Sequence, residues 1–169
     1  MLELGRAGAA GAAKRDVPVL RDGAVVAVLH ASNRREQAAA VIGDQEWSYA
    51  KRKGELTARR ATDPEGSAVL TARQSSFWRG TWSLDLAGTP VDMESSSFWR
   101  GTHRYTRGGR PVGGSGSTGG WSPRPTVTAD GLPLEQQVFL LWVELVIGRR
   151  NSDATTAAVT GAAVAGGGS

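Results

Sequence analysis

Cysteine is absent from the 169 residues, which excludes disulfides, thiolate metal sites and a cysteine nucleophile. Histidine occurs only as His30 and His103, too seldom for a histidine metal cluster, and neither falls in a recognisable arrangement with serine and aspartate. No catalytic residue, metal or cofactor is therefore expected. Lysine is confined to Lys14, Lys51 and Lys53, so the positive charge is almost wholly arginine. A GC-rich coding sequence produces the same bias together with abundant alanine and glycine, and arginine content alone is no sign of binding. Long hydrophobic runs are missing as well. The opening MLELGRAGAAGAAKRD carries Glu3 and Arg6 inside its weakly apolar stretch and lacks the core of a signal peptide. The most apolar run, Val138 to Ile147, is half of the ~20 residues that a spanning helix needs. The expectation is a cytoplasmic chain with no transmembrane segment.

What the sequence does contain is a repeat. SSFWRGT stands at Ser75 to Thr81 and again at Ser96 to Thr102. The likeness continues downstream, where Gly88, Pro90 and Val91 match Gly109, Pro111 and Val112. Each copy holds an outward run, a Gly/Pro turn and a return run, and strands of ~5–6 residues fill that period as a β-hairpin. Weaker relatives precede it: VPVLRDGAVVAVLH turns at Asp22-Gly23, and WSYAKRKGELTARRA turns at Lys53-Gly54. The chain up to about Pro125 reads as eight to eleven antiparallel strands, and such a meander must close or be covered.

A different texture follows in LPLEQQVFLLWVELVIGRR. Pro133 suits the first position of a helix, Glu135 offsets the dipole in its first turn, and Gly148 with Arg149-Arg150 reads as its end. From Val138 to Ile147 only Glu144 is polar, and a helix apolar on all sides has to be surrounded. The sheet that needs closing and the helix that needs enclosing solve each other. The fold class expected is mainly β, an antiparallel meander closed into a barrel over residues 17–150 around one C-terminal helix at about 133–148. Residues 1–16 and the Ala/Gly/Thr/Ser-rich 151–169 read as disordered tails.

Three constellations invite a chemical reading. Gly114, Gly116 and Gly119 fit GxGxxG, but Trp121, Pro123 and Pro125 forbid the helix that would hold a pyrophosphate, so the segment reads as a flexible loop. Glu144 inside a buried helix needs a partner: a barrel arginine, a free backbone N–H, or water at the barrel's end, with a pocket acid as the enzymatic alternative. His103 takes the repeat position of Trp82 and is expected to pack as an aromatic substitute, while His30 stands at a strand end. Finally, Trp78, Arg79, Trp99 and Arg100 fall at one end of the sheet if the Gly/Pro turns lie at the other. They can cap the core, or form a rim that meets an anionic ligand with indoles at the interface and guanidiniums on phosphate.

The repeated Ser-Phe-Trp-Arg-Gly-Thr, its downstream Gly-x-Pro-Val and the terminal LPLEQQVFLLWVELVIGRR together resemble the Tubby C-terminal-like superfamily, which includes the LURP-one-related and phospholipid scramblase proteins. The similarity is to its small bacterial members and covers about Val17 to Arg150. It implies a barrel of about twelve strands around a central helix, and in some members binding to phosphoinositides or other membrane lipids. The family's lipid-binding motif has no residue-by-residue counterpart in this chain. Three functions stand open: a non-enzymatic module for anionic phospholipid or another phosphorylated ligand at the Trp/Arg rim, peripheral to the membrane; a scaffold with a protein partner; and an enzyme with a pocket acid. Between Trp47 and Arg110, eleven Lys and Arg face six Asp and Glu. That excess suits an anionic surface or a solvated sheet face. Nucleic acid is not the expected partner, since indoles that fill a barrel cannot stack on bases.

Overall fold

The computed structural model describes residues 1–165 except 12, 14–15, 33–35, 77, 98–100 and 121–122, with side chains described as far as residue 154. Alternation of apolar and polar residues makes successive strands: β1 (Leu2–Leu4), β2 (Val17–Arg21), β3 (Ala24–Ala31), β4 (Gln37–Ile42), β5 (Gln45–Arg52) and β6 (Glu55–Arg60). The series continues through β7 (Leu70–Ser76), β8 (Thr81–Leu86), β9 (Pro90–Ser97), β10 (Thr102–Arg107), β11 (Arg110–Thr118) and β12 (Arg124–Thr128), and ends in the helix α1 (Leu134–Ala165). Each strand pairs antiparallel with its chain neighbours, and β1 pairs with both β2 and β12, so the sheet is a closed barrel. Closure leaves no edge strand to template aggregation. The turns Asp22-Gly23, Lys53-Gly54, Ala87-Gly88 and Gly108-Gly109 all take left-handed φ, the geometry that matches hairpin twist.

The helix fills the barrel. Gln136 to Glu144 are nine consecutive buried residues, more than two full turns with no solvent-facing side. Around them the strands point alternate side chains inward: Ala38, Ala40 and Ile42 from β4, Trp47 and Tyr49 from β5, Leu84 and Leu86 from β8, Val91 and Met93 from β9. The small Ala38, Ala40, Ala58 and Ala72 leave room for rings, and Tyr49 stacks on Trp142 at 5.2 Å with Phe139 at 6.1 Å from Tyr49. Each large side chain so enclosed stabilises by about 1.5–3 kcal/mol before entropy is counted.

Because consecutive strands alternate direction, links alternate between two rims. The helix enters at the lower rim, where Gln136 Nε2 donates to the Leu86 carbonyl and Arg21 to Gln137 Oε1. It leaves at the upper rim, where Arg149 donates to the Ser32 carbonyl and Arg150 holds Glu36 and lies 5.4 Å over the Trp82 ring.

Four expectations need correction. The first sixteen residues are not all tail: Leu2 and Leu4 point into the core from β1, which supplies the twelfth strand. Three alternating residues carry too little pattern to be read alone, and it is the unpaired sides of β2 and β12 that make them a strand. The helix starts at Leu134 and does not stop at Gly148; a mid-helix glycine costs about 1 kcal/mol against alanine and does not forbid continuation, and Ser152 bonds back to the Gly148 carbonyl. The tail from 151 is accordingly helical as far as Ala165, with 166–169 outside the described residues. Lastly, the glycine-rich segment expected as a loop is the strand β11. A Cβ on Gly113 would stand 2.3 Å from the Thr128 carbonyl oxygen and 2.8 Å from the Ala129 Cβ, so glycine lets β11 close on the chain just past β12.

Candidate functional site

The repeated heptapeptide turns the chain at the upper rim. Ser75 Oγ donates to Thr81 Oγ1 at 2.9 Å, and Ser96 and Thr102 share the same 2.9 Å hydroxyl pair, so both copies clasp their turn identically. Gly80 and Gly101 take φ of 60° and 58°, a left-handed bend that favours glycine. The first clasp holds Trp78 and Arg79 outside the barrel. Trp78 is 93% exposed and Arg79 is exposed beside it, with the Arg79 N–H on Ser76 Oγ. Trp78 thus does not cap the core. Trp99 and Arg100, expected to share this rim, lie outside the described residues. The neighbouring upper hairpin carries Lys51, Arg52 and Lys53, about 10 Å away by strand spacing. Of these, Lys51 is bound to Glu36 at 3.0 Å and Arg52 lies 3.9 Å from Glu65, whereas Lys53, like Arg79, has no ion pair among the described residues. The lower rim is mixed in sign, with Asp22, Asp44, Asp85 and Asp130 set among Arg21, Arg60, Arg107 and Arg110 at or beside its turns.

Beneath the upper rim lies a buried polar cluster that sequence reasoning missed. Glu144 Oε1 accepts from the Tyr105 hydroxyl at 2.7 Å, and both its oxygens face His103 Nδ1, at 3.0 and 2.9 Å. All three side chains are buried, and the His103 backbone N–H is taken by Ser115 Oγ at 2.8 Å. The partner of Glu144 is therefore neither an arginine nor a backbone N–H, and His103 is more than a packed aromatic. Burial, and after it the negative charge of Glu144, push the Tyr105 phenol well above its ordinary value, so Tyr105 stays a donor. The strand β10 is irregular on either side of the pair, against β9 between Thr102 and His103 and against β11 between Tyr105 and Thr106. Such irregularities re-aim side chains. One signal was present in the sequence: the two repeat copies differ where Trp82 and Leu84 of the first become His103 and Tyr105 of the second.

Two adjoining cavities open beside α1 at this end, of about 460 and 580 Å³. Glu144 reaches the first, Leu4 and Val17 line the second, and Pro123, Arg124, Pro125, Leu145 and Arg149 form the wall they share. His30 is elsewhere, on Asp16 at 2.6 Å. No group of three or more metal-ligating side chains occurs among the described residues, and no helix among them is long and apolar enough to cross a membrane.

No family model, curated protein or solved structure matches the chain. The rim and the groove are consequently read from their own chemistry. An exposed indole beside unpaired cations suits a boundary between water and an anionic layer. A carboxylate held by His103 and Tyr105 is a satisfied polar contact inside a barrel.

Proposed function

We propose that this chain is a Tubby-like, non-enzymatic binding module that docks its upper rim on an anionic phospholipid surface, at the cytoplasmic periphery of a membrane. The kinship in that reading rests on the repeat and the terminal helix of the sequence. The observation that carries the docking is Trp78, a 93% exposed indole held outward by a hydroxyl-clasped turn next to the exposed Arg79. An indole there gains by entering the headgroup layer, and each nearby Lys or Arg adds about 1 kcal/mol on an anionic surface. In this reading Glu144 and His103 are structural.

Co-sedimentation with vesicles tests it. We expect recovery with phosphatidylglycerol-containing vesicles, little with pure phosphatidylcholine, and release as salt is raised. The double variant Trp78→Ala, Arg79→Glu should lower recovery about ten-fold or more, since it removes one indole and reverses one charge. Equal recovery with neutral and anionic vesicles would remove the lipid reading and leave the protein-partner scaffold.

A further inference from the structure

We propose that the paired cavities beside α1 form a site for a single-chain amphiphile with an oxyanion head, the head on Arg124 and Arg149 and the tail along Leu4, Val17 and Leu145. The site is separate from the turn that bears Trp78 and needs no membrane.

The second cavity carries the argument: Arg6, Arg124 and Arg149 line it with no carboxylate among its described lining residues, and none of the three enters an ion pair among the described residues. Arg124 and Arg149 stand in the wall common to both cavities. Arg149, in the same wall, uses one nitrogen on the Ser32 carbonyl, which fixes its head while leaving other N–H groups. Guanidiniums bind carboxylate and phosphate alike through a planar fork. Glu144 does not compete for the head position, because its oxygens are occupied by His103 and Tyr105. Beside the arginines the second cavity is lined by Leu4, Val17, Pro125 and Leu145, while the acids Glu144 and Asp153 line the first alone. Each cavity falls within the ~300–1,000 Å³ of small-molecule sites. An oxyanion joined to a hydrocarbon chain is complementary to both halves at once.

The test is calorimetric titration of the intact protein with sub-micellar dodecanoate, dodecyl phosphate and dodecanol. Both anions should bind, and their ratio tells which head the arginines prefer; dodecanol should bind about ten-fold or more weakly. Across octanoate, decanoate and dodecanoate, affinity should rise by up to about four-fold per methylene if the tail is buried. Arg124→Met should weaken dodecanoate about ten-fold. Leu145→Trp, which fills the groove, should block it while far-ultraviolet circular dichroism stays native. Trp78→Ala with Arg79→Glu should leave this binding unchanged, so the groove and the vesicle-docking rim fail or succeed separately. An affinity that ignores chain length, equal binding of dodecanol, or loss of binding on changing Trp78 and Arg79 would each overturn the site.

Discussion

Glu144 shows how a single charge can sit inside a hydrocarbon-filled barrel. Its two oxygens receive His103 and Tyr105, so the cost of desolvation is met by close donors rather than by water. Removing one member of such a set leaves the others unpaired. We expect Glu144→Ala to destabilise the protein by about 3 kcal/mol in urea unfolding, and the triple change Glu144→Leu, His103→Phe, Tyr105→Phe to recover most of it, because the apolar set needs no donors. A triple variant no more stable than Glu144→Ala would contradict this account. Glu36 is the second residue whose charge matters. The Arg150 hydrogen bond, aided by Lys51 and opposed by burial, lowers its pKa from 4.5 to about 2. A depressed carboxylate contributes stability that is fully present above the unfolded value and lost as pH falls through the folded one. Glu36→Gln should therefore cost about 1–2 kcal/mol at pH 7, after allowance for solvent screening, and its unfolding midpoint should merge with that of the parent as pH drops from 4.5 towards 2. The sequence showed that Glu144 needed a partner but not which one. That choice depends on which strands flank the helix, and no local pattern encodes it.

Among the elements, those with a strong period were legible and those made by their neighbours were not. The hairpins with Asp22-Gly23 and Lys53-Gly54 turns, the repeat and the enclosed helix all follow from alternation, turn chemistry and a run of apolar residues. The strand β11 does not, since RPVGGSGST has neither alternation nor β-branched density. It is held by pairing with Arg104 to Arg107 on one side and Arg124 to Thr128 on the other, and its glycines are spacers. The two kinds of glycine should respond oppositely to a methyl group. Gly113→Ala forces a Cβ to 2.3 Å from a carbonyl oxygen and should cost about 2 kcal/mol or more. Gly148 sits in the helix with open space where a methyl group would stand, and Gly148→Ala should gain about 0.5–1 kcal/mol. Thermal unfolding of the two variants checks both signs. The same comparison explains why the helix end was misplaced: Gly148 marks where the barrel stops enclosing the helix, not where the helix stops.

For the molecule as a whole, closure was predictable and its last component was not. A meander that cannot leave edges and a helix that cannot face water require a barrel, but β1 joins it with only Leu2, Glu3 and Leu4. Of the expected rim, Trp78 and Arg79 stand where the hairpin period puts them, while the groove and Arg124 were invisible to any local rule because they come from β1, β2, β11, β12 and α1 together.

Because β1 is held between β2 and β12, the ring is shut by strands that lie far apart along the chain. Leu2 aligns with Arg21 and also with Val127, so the ring cannot shut until more than a hundred further residues have been synthesised. Until then β1 displays an unsatisfied flank to its surroundings, and the loop that must close is long, conditions under which folding is slow and exposed to misassociation.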